Sequence, residues 1–418
     1  MPSKKETDIV IVGAGLMGSS VAMALSELAP KLSILAIDLD LEGVFSSSEL
    51  NAGGVRATWN NPVNAAISRA SIDYYEKIAS EIGFRQNGYF WMFNSVVWPE
   101  EKRTLQQNPF LKDLGIQYLT PDEITKKYPF IDKTQDLGGA TFSPKDGLLN
   151  PNLLKLHYRH RAKANGVQFA DHFWVRDVEV LEKEGRILLQ SWHFDNQLDQ
   201  DEIKTILSTD VSDLSSKMNP SKMPSMVEIS AKYLVNCSGA WARKFAKLMR
   251  MDCPSRALRR QVSVFECRQV DITHAGMFVD PSGVYFHSEA KNILAGYATP
   301  DEPEGYNFEY DGEAFFQDHI WPSLYERSSR FENLKHVTGW AGLYEVSPDK
   351  SAIIGRVEPF SNVFECHSFS GRGAMQSYGA GLGLAELMIK GKYESIDLSM
   401  LTSTRFLKGL SVHEGLLI

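Results

Sequence analysis

Gly13, Gly15 and Gly18 stand at G-x-G-x-x-G spacing in "DIVIVGAGLMGSS", after an Ile/Val run and before a stretch of helical apolar spacing. That setting gives the glycines their chemistry. The first permits a tight turn, the second lets backbone approach a pyrophosphate, and the third lets the helix pack on the strand. Free N–H groups and the helix dipole then face the phosphates. Asp38 closes the next strand-like run, "KLSILAID", 20 positions after Gly18, where a carboxylate can accept hydrogen bonds from an adenosine ribose. Asp40 is its rival. These residues predict a bound dinucleotide and leave open whether it is nicotinamide or flavin.

Two later turns repeat the theme. In "VNCSGAWA" a hydrophobic strand runs into Ser238 and Gly239 before a helix, the alternative being an ordinary strand-to-helix turn. In "SFSGRGAMQSYGAGLGLAELMIKGK", Gly371 and Gly373 precede a helix whose N-terminus can stabilise a second electron-rich group. Gly379, Gly381 and Gly383 lie inside that helix and read as close packing.

The elements that must carry these turns begin with one βαβ unit, "DIVIVGAG" to "KLSILAID", followed by a loop rich in small residues and the helical "PVNAAISRASIDYYEKIASEIG". From residue 85 the character changes. "NGYFWMF" reads as a half-buried strand, and "LTPDEITKKYP" as a helix capped by Thr120 with Pro121 and Glu123 behind it. A helix capped by Asn150 and ended by Gly166 brings the chain back. Alternation in "QVSVFEC", "GVYFHSE" and "NILAGYA" predicts antiparallel strands. The expected fold is α/β: a Rossmann-like dinucleotide-binding domain built from residues 1–84, 148–250 and 336–418, and a second domain, 85–147 and 251–335, with a mainly antiparallel sheet. Residues 195–225, rich in Ser, Asp and Met, read as a mobile surface insert.

At 418 residues, 43% hydrophobic and 23% charged, the chain has room for two domains. A net charge of -8 without any Lys/Arg run argues against a nucleic-acid surface. Cys237, Cys253, Cys267 and Cys366 are too scattered for a disulfide framework or a zinc site, no metal is expected, and a reducing compartment, the cytoplasm, is. Lys4 and Lys5 before the uncharged run Ile9–Ser26 superficially suggest a signal peptide. The glycines and the switch from strand to helix spacing argue against it, and "MPSKKETD" is short and acidic for a transit peptide. No transmembrane segment is expected.

"VGAGLMGSS" with "AID", "SSSELNAGGVR", "VNCSGAWA", "GLYEVSPDKSAIIG" and "FSGRGAMQS" together resemble the D-amino-acid oxidase and sarcosine oxidase superfamily of FAD-dependent oxidoreductases, in that family's order. The flavour is nearest the sarcosine and dimethylglycine dehydrogenase-like group. The resemblance implies that Gly13, Gly15, Leu16, Met17, Gly18, Asp38 and Leu39 hold the ADP half of FAD, with Ser238, Gly239 and Trp241 beside it. Ser46, Ser47, Ser48, Asn51, Ala52, Gly53, Gly54 and Arg56 would pass near ribityl and ring. Gly342, Gly371, Arg372, Gly373, Ala374 and Met375 would border the isoalloxazine, with the second domain's sheet over the flavin.

For a substrate carboxylate the implied candidates are Arg56 and Arg372, with Arg260 third. Tyr285, His287 and Tyr344 could reach the ring. Trp59 and Trp340 could cage an alkylated amine, core packing being the alternative. Two departures matter. Ala341 and Gly342 stand where the sarcosine oxidases carry their flavin-linking cysteine, so FAD should be non-covalent. Leu294 stands where their oxygen-activating lysine is expected, with Lys291 too far along. The implied activity is therefore hydride transfer from the C–N bond of a small amino acid or N-alkylated amino acid to flavin N5, in a dehydrogenase more than an oxidase. Its electron acceptor would be a quinone, an electron-transfer protein or oxygen. Two alternatives stay open: oxidation of a 2-hydroxy acid with His287 as base, and a flavoprotein acting mainly as an assembly or interaction factor through the 195–225 insert.

Overall fold

The computed structural model describes residues 3–195, 197–217 and 222–416. The elements that set the site are β1 (Ser3–Val12), α1 (Leu16–Leu28), β2 (Ile34–Ile37), α2 (Pro62–Lys77), α3 (Pro151–Ala164), α4 (Gln200–Ser208), β3 (Ser225–Asn236), β4 (Arg256–Glu266), β5 (Lys335–Val346), β6 (Val363–His367) and α5 (Gly373–Lys390).

The first sheet runs in the order Ile353–Arg356, β6, β3, β1, β2, Gln168–Ala170. Its central pairs are parallel. Parallel strands are covered on both faces, which is why Ile9–Val12 and Ile34–Ile37 are uniformly apolar and buried. Because β1, β2, β3 and β6 point the same way, their carboxyl ends release four loops on one side: the Gly13 turn, Asp38, Cys237–Trp241, and Ser368–Gly373. Ligands of open α/β sheets lie against such ends.

The second sheet has the order β5, β4, Asn292–Tyr297, Tyr285–Glu289, Met277–Val279, Tyr89–Asn94, Leu137–Ser143, Gln117–Leu119. All of its pairs are antiparallel except Met277–Val279 with Tyr89–Asn94. Residues 336–346, grouped by sequence with the dinucleotide-binding segments, pair with β4 in this sheet instead. Their alternation shows that they form a strand but not which strand they join.

Helices α1, α3 and α5 cover one face of the first sheet. A Cβ on Gly381 would lie 2.3 Å from Ser20 Oγ, on Gly379 2.7 Å from the Ile67 carbonyl, and on Gly383 2.6 Å from Leu398 Cδ1. The glycine stripe of α5 is thus a packing face.

The 195–225 segment is not a loose excursion where it is described. Its residues 196 and 218–221 lie outside the described residues. Asp199 caps α4 in a capping box with Glu202, and Ile203, Ile206 and Leu207 turn inward onto Leu39, Ala240 and Leu343. The three apolar residues at helical spacing are diluted by the polar composition around them, which hides the pattern in the sequence. Among the described residues no helix is long and apolar enough to cross a membrane. All four cysteines are unpaired.

Candidate functional site

The loops from the carboxyl ends of the first sheet face the second sheet across a cleft of about 1890 Å³, solvent at its mouth included. One end is the Gly13 turn. Gly13 has φ +91°, and a Cβ there would meet the Cys237 carbonyl at 2.3 Å; a Cβ on Gly18 would sit 1.8 Å from the Gly13 carbonyl. Both glycines are demanded by backbone on backbone. A Cβ on Gly15 would touch only Ser48 Oγ, at 3.2 Å, so this position faces open cleft.

The turn is clamped from behind. Asp38 Oδ2 accepts from the Ala14 N–H at 2.6 Å and Asp38 Oδ1 from the Asp40 N–H at 3.4 Å. Burial raises this carboxyl above its ordinary range in spite of those two donors. Arg159 of α3, itself buried, donates to the Ala14 carbonyl, to the Leu41 carbonyl at 2.6 Å and to Ser19 Oγ at 3.2 Å. One turn earlier, Lys155 donates to the Glu42 carbonyl at 2.9 Å and pairs with Glu49. Neither cation was anticipated. The available signal was two charges at i, i+4 on the helix face that carries Tyr158 and Ala162.

Leu16, Met17, Leu39, Ser46, Ser47, Ser48, Asn51, Ala52 and Gly54 all line the cleft, as do Asp38 and Asp40. The serines are held individually: Ser48 Oγ accepts from the Leu16 N–H at 2.9 Å, and Ser47 Oγ donates to the Leu343 carbonyl at 2.6 Å. Gly53 (φ +74°) lies behind the lining, its Cβ position blocked by the Leu149 carbonyl at 2.3 Å. Gly18 likewise serves the turn from behind.

Ser238, Gly239 and Trp241 line the cleft beside Leu207 and Val211 of the insert. Trp241 Nε1 donates to the Leu207 carbonyl at 2.8 Å, and Lys244 Nζ to the Thr209 carbonyl at 3.0 Å. The insert is therefore a wall of the cleft.

At the far end, Gly342, Gly371, Gly373, Ala374 and Met375 face Tyr89, Met277, Tyr285, Trp340, Tyr344 and Arg260 of the second sheet. Gly371 (φ +88°) leaves room for the Tyr344 ring, which a Cβ would meet at 2.4 Å. Gly54 does the same for Tyr89, whose hydroxyl would lie 3.1 Å from a Cβ. Burial raises the hydroxyl pKa of Tyr89, Tyr285 and Tyr344. Between the two ends, Glu345 lines the cleft with Oε1 accepting from the Phe369 N–H at 3.2 Å and Oε2 buried without a partner. Burial raises its carboxyl too. It sits in "GLYEVSPD", where only Tyr344 was singled out.

The two arginines expected to take a carboxylate do not line the cleft. Arg56, 2% exposed, donates to the Thr58 and Leu416 carbonyls, and its guanidinium lies 3.6 Å from the Trp59 ring centroid and 4.3 Å from that of Trp91. It ties the C-terminal segment to the β-sheet core. Arg372, 3% exposed, turns from the start of α5 toward Trp59, and burial lowers its pKa to about 10. Trp59 is buried between them. His287, 4% exposed, donates from Nδ1 to the Ser288 carbonyl at 2.8 Å and stands outside the cleft lining. Burial depresses its pKa, so it is held neutral. Strand alternation put it on the Tyr285 face, but the backbone at Ala52 covers it. Trp340 does line the cleft, its Nε1 donating to the Leu50 carbonyl at 3.0 Å.

These residues fit FAD on their own chemistry: a pyrophosphate-sized approach at Gly15, an orphaned acceptor at Glu345 for a hydroxyl, and a helix N-terminus at Gly373 with only Met17 within 4 Å.

The DAO family model, described as FAD dependent oxidoreductase, matches residues 8–387. Among similar proteins, the FAD-dependent oxidoreductase domain-containing protein 1 of Xenopus laevis is 28% identical over 436 residues, covering 96% of this chain and 83% of the relative. Mitochondrial sarcosine dehydrogenase of Mus musculus is 21% identical, covering 99% of this chain and 42% of the relative. The crystal structure of L-proline dehydrogenase from P. horikoshii superposes with a TM-score of 0.80 at 19% identity, covering 98% of this chain and all of that one, which establishes the shared fold.

Proposed function

Because the chain belongs to the DAO family of FAD-dependent oxidoreductases, we propose that it oxidises the C–N bond of a small free or N-alkylated amino acid, and does so as a dehydrogenase. The observation that carries this reading is the far end of the cleft, where an aromatic roof and a single arginine, Arg260, stand over the N-terminus of α5.

Bound FAD supplies the two-electron acceptor for hydride leaving the carbon next to nitrogen. Arg260 holds the carboxylate with its planar fork. The hydroxyls of Tyr285 and Tyr344 stay protonated, since burial raises both, and so donate hydrogen bonds. Backbone N–H groups at the start of α5 would stabilise negative charge on a bound flavin. Among the described residues no histidine lines the cleft, and its carboxylates are Asp38 and Asp40 at the dinucleotide end and Glu345, whose Oε1 accepts from the Phe369 N–H. The amine therefore binds neutral, without a general base, and water hydrolyses the imine product. The same absence disfavours 2-hydroxy acid oxidation, which needs a base for the hydroxyl proton.

Two further points rest on the lining. Its one cysteine is Cys237, packed at the Gly13 turn, which supports non-covalent FAD. Its one lysine is Lys244, at the dinucleotide end, while Leu294 is buried in its strand, which supports a quinone or electron-transfer protein over oxygen as acceptor. The division into segments 1–84, 148–250 and 336–418 against 85–147 and 251–335, with 336–346 moved to the second domain by their pairing with β4, is our proposal for the domains, as is a cytoplasmic location, two relatives being named as mitochondrial. The apolar face of α4 is turned inward, so an interaction-factor reading gains nothing from that helix.

The test is anaerobic reduction of the bound flavin by a panel of amino acids, N-methyl amino acids and 2-hydroxy acids, followed by turnover with an artificial acceptor. Reduction by amines alone is expected. Failure of every amine would sink the reading, and rapid reoxidation in air would sink its dehydrogenase half.

A further inference from the structure

Arg260 and Tyr344 line two spaces at once. On one side is the cleft just described, and on the other a second chamber of about 730 Å³, open solvent at its mouth included, bounded also by Ser282, Tyr297, Lys350 and Ser370. Ser282 at its edge is exposed, so the chamber opens to solvent.

Its charge is unbalanced. The neighbouring Arg259, on the opposite face of β4, is neutralised by Glu302 at 2.7 Å and Asp311 at 2.8 Å. Arg260 has no carboxylate within 4.0 Å among the described residues; it donates only to the Arg259 carbonyl at 2.8 Å, and its Nε is buried without a partner. Lys350 makes no ion pair among the described residues either. The acid beside it in sequence, Asp349, is spent on Arg405 at 2.8 Å. Half-buried Lys350 is pushed below its ordinary pKa first by burial and then by the repulsion of Arg256 and Arg260. Two non-glycine residues of the chamber, Lys350 (φ 63°) and Ser370 (φ 51°), hold left-handed backbone. Such strain gathers where a side chain must be aimed. A half-buried group of cations with no counter-ion of its own, fringed by the hydroxyls of Ser282, Tyr297 and Ser370, is arranged to receive an anion.

Resting on the amino-acid reading above, we infer that the preferred substrate carries a second carboxylate: its α-carboxylate lies on Arg260 and its distal carboxylate enters the side chamber to meet Lys350. The class is an acidic amino acid or an N-carboxyalkyl amino acid. The distal group reports chain length and charge without touching the reacting carbon.

The test uses the holoenzyme and two readouts. In turnover with an artificial acceptor, iminodiacetate and glutamate should exceed sarcosine and alanine in kcat/KM by about tenfold or more, the factor a single added charge pair commands. Lys350→Gln should collapse that ratio, and Lys350→Arg should keep it. In the second readout, perturbation of the flavin absorption by non-oxidisable ligands, glutarate should bind at least about tenfold more tightly than acetate, and Lys350→Gln should abolish the difference. A ratio near one in the wild type, or a ratio indifferent to Lys350→Gln, overturns the inference while leaving amine oxidation standing. Inorganic phosphate binding as tightly as glutarate would show a site for any dianion and also overturn it. Conversely, Lys350-dependent glutarate binding in a protein whose flavin no amine reduces would preserve the chamber and remove the proposed reaction.

Discussion

Replacing Gly15 by alanine separates cofactor binding from folding, because the three glycines of the turn face different things. Gly15 has φ -63°, which any residue adopts, and its added methyl would meet only the Ser48 hydroxyl at 3.2 Å. The fold should hardly notice. The strain of nudging Ser48 is offset by roughly 0.4–1 kcal/mol of lost freedom in the unfolded chain, so the FAD-stripped protein should keep its stability to within about 1 kcal/mol. The methyl does, however, stand where the pyrophosphate must approach. Overpacking a close contact costs about 1–3 kcal/mol, which at 1.4 kcal/mol per decade weakens FAD binding by about 5- to 150-fold. Gly18→Ala is the contrast. Its methyl would lie 1.8 Å from the Gly13 carbonyl with no flexible side chain to yield. It should destabilise the stripped protein by about 3 kcal/mol or more. Thermal denaturation of stripped protein and fluorescence titration with FAD measure the two effects. If Gly15→Ala lowers stability as much as Gly18→Ala, or binds FAD like the wild type, the assignment of Gly15 to the phosphates is wrong.

Arg159→Met strips the donors from the Ala14 and Leu41 carbonyls, at about 1–3 kcal/mol for each group left unsatisfied, so both thermal stability and FAD retention should fall; wild-type retention would refute the clamp. Glu345→Gln should weaken FAD binding while leaving the absorption of the bound flavin in place, and an unchanged dissociation constant would show that the orphaned Oε2 does not meet the cofactor. Asp146, buried beside Arg56, has its carboxyl raised by burial to about 6 from 3.8, so the protonated form is favoured in the fold and its stabilisation, present below pH 3.8, is lost as pH rises toward 6. The stability difference between wild type and Asp146→Asn should accordingly shift against the wild type by about 2–3 kcal/mol across that window, measured by urea unfolding at several pH values; a flat difference would contradict it. Leu207→Asp, which puts a charge in the wall that α4 lends to the cleft, should speed FAD loss, whereas a freely mobile insert would tolerate it.

The dinucleotide end was legible because it is local. Strand, glycine turn, helix and Asp38 fall within Thr7–Asp38, and the same short stretch supplies the Gly13 carbonyl that demands Gly18 and the Ala14 N–H that Asp38 accepts from. The order of motifs along the chain likewise carried the family and FAD, since each marks a loop at the carboxyl end of a strand. The helix caps at Thr120 and Asn150 were readable for the same reason. What could not be read is which face a residue shows to a partner far away in sequence. Arg56 and Arg372 looked like carboxylate ligands because they sit in cleft-bordering motifs. Arg56 is instead committed to a carbonyl 360 residues distant, and Arg372 turns behind the lining. Arg260 faces the cleft because its neighbour Arg259 takes the acids on the other side of the strand. Residues 336–346 join the second sheet, the insert becomes a wall, and Lys350 meets Arg260 across a chamber that no segment encodes alone. The sequence by itself determined that a dinucleotide is held, because a glycine turn is a property of adjacent backbone, and the order of its motifs carried FAD. Only the tertiary structure decided the substrate end, because charge at a site is what remains after every distant partner has been counted.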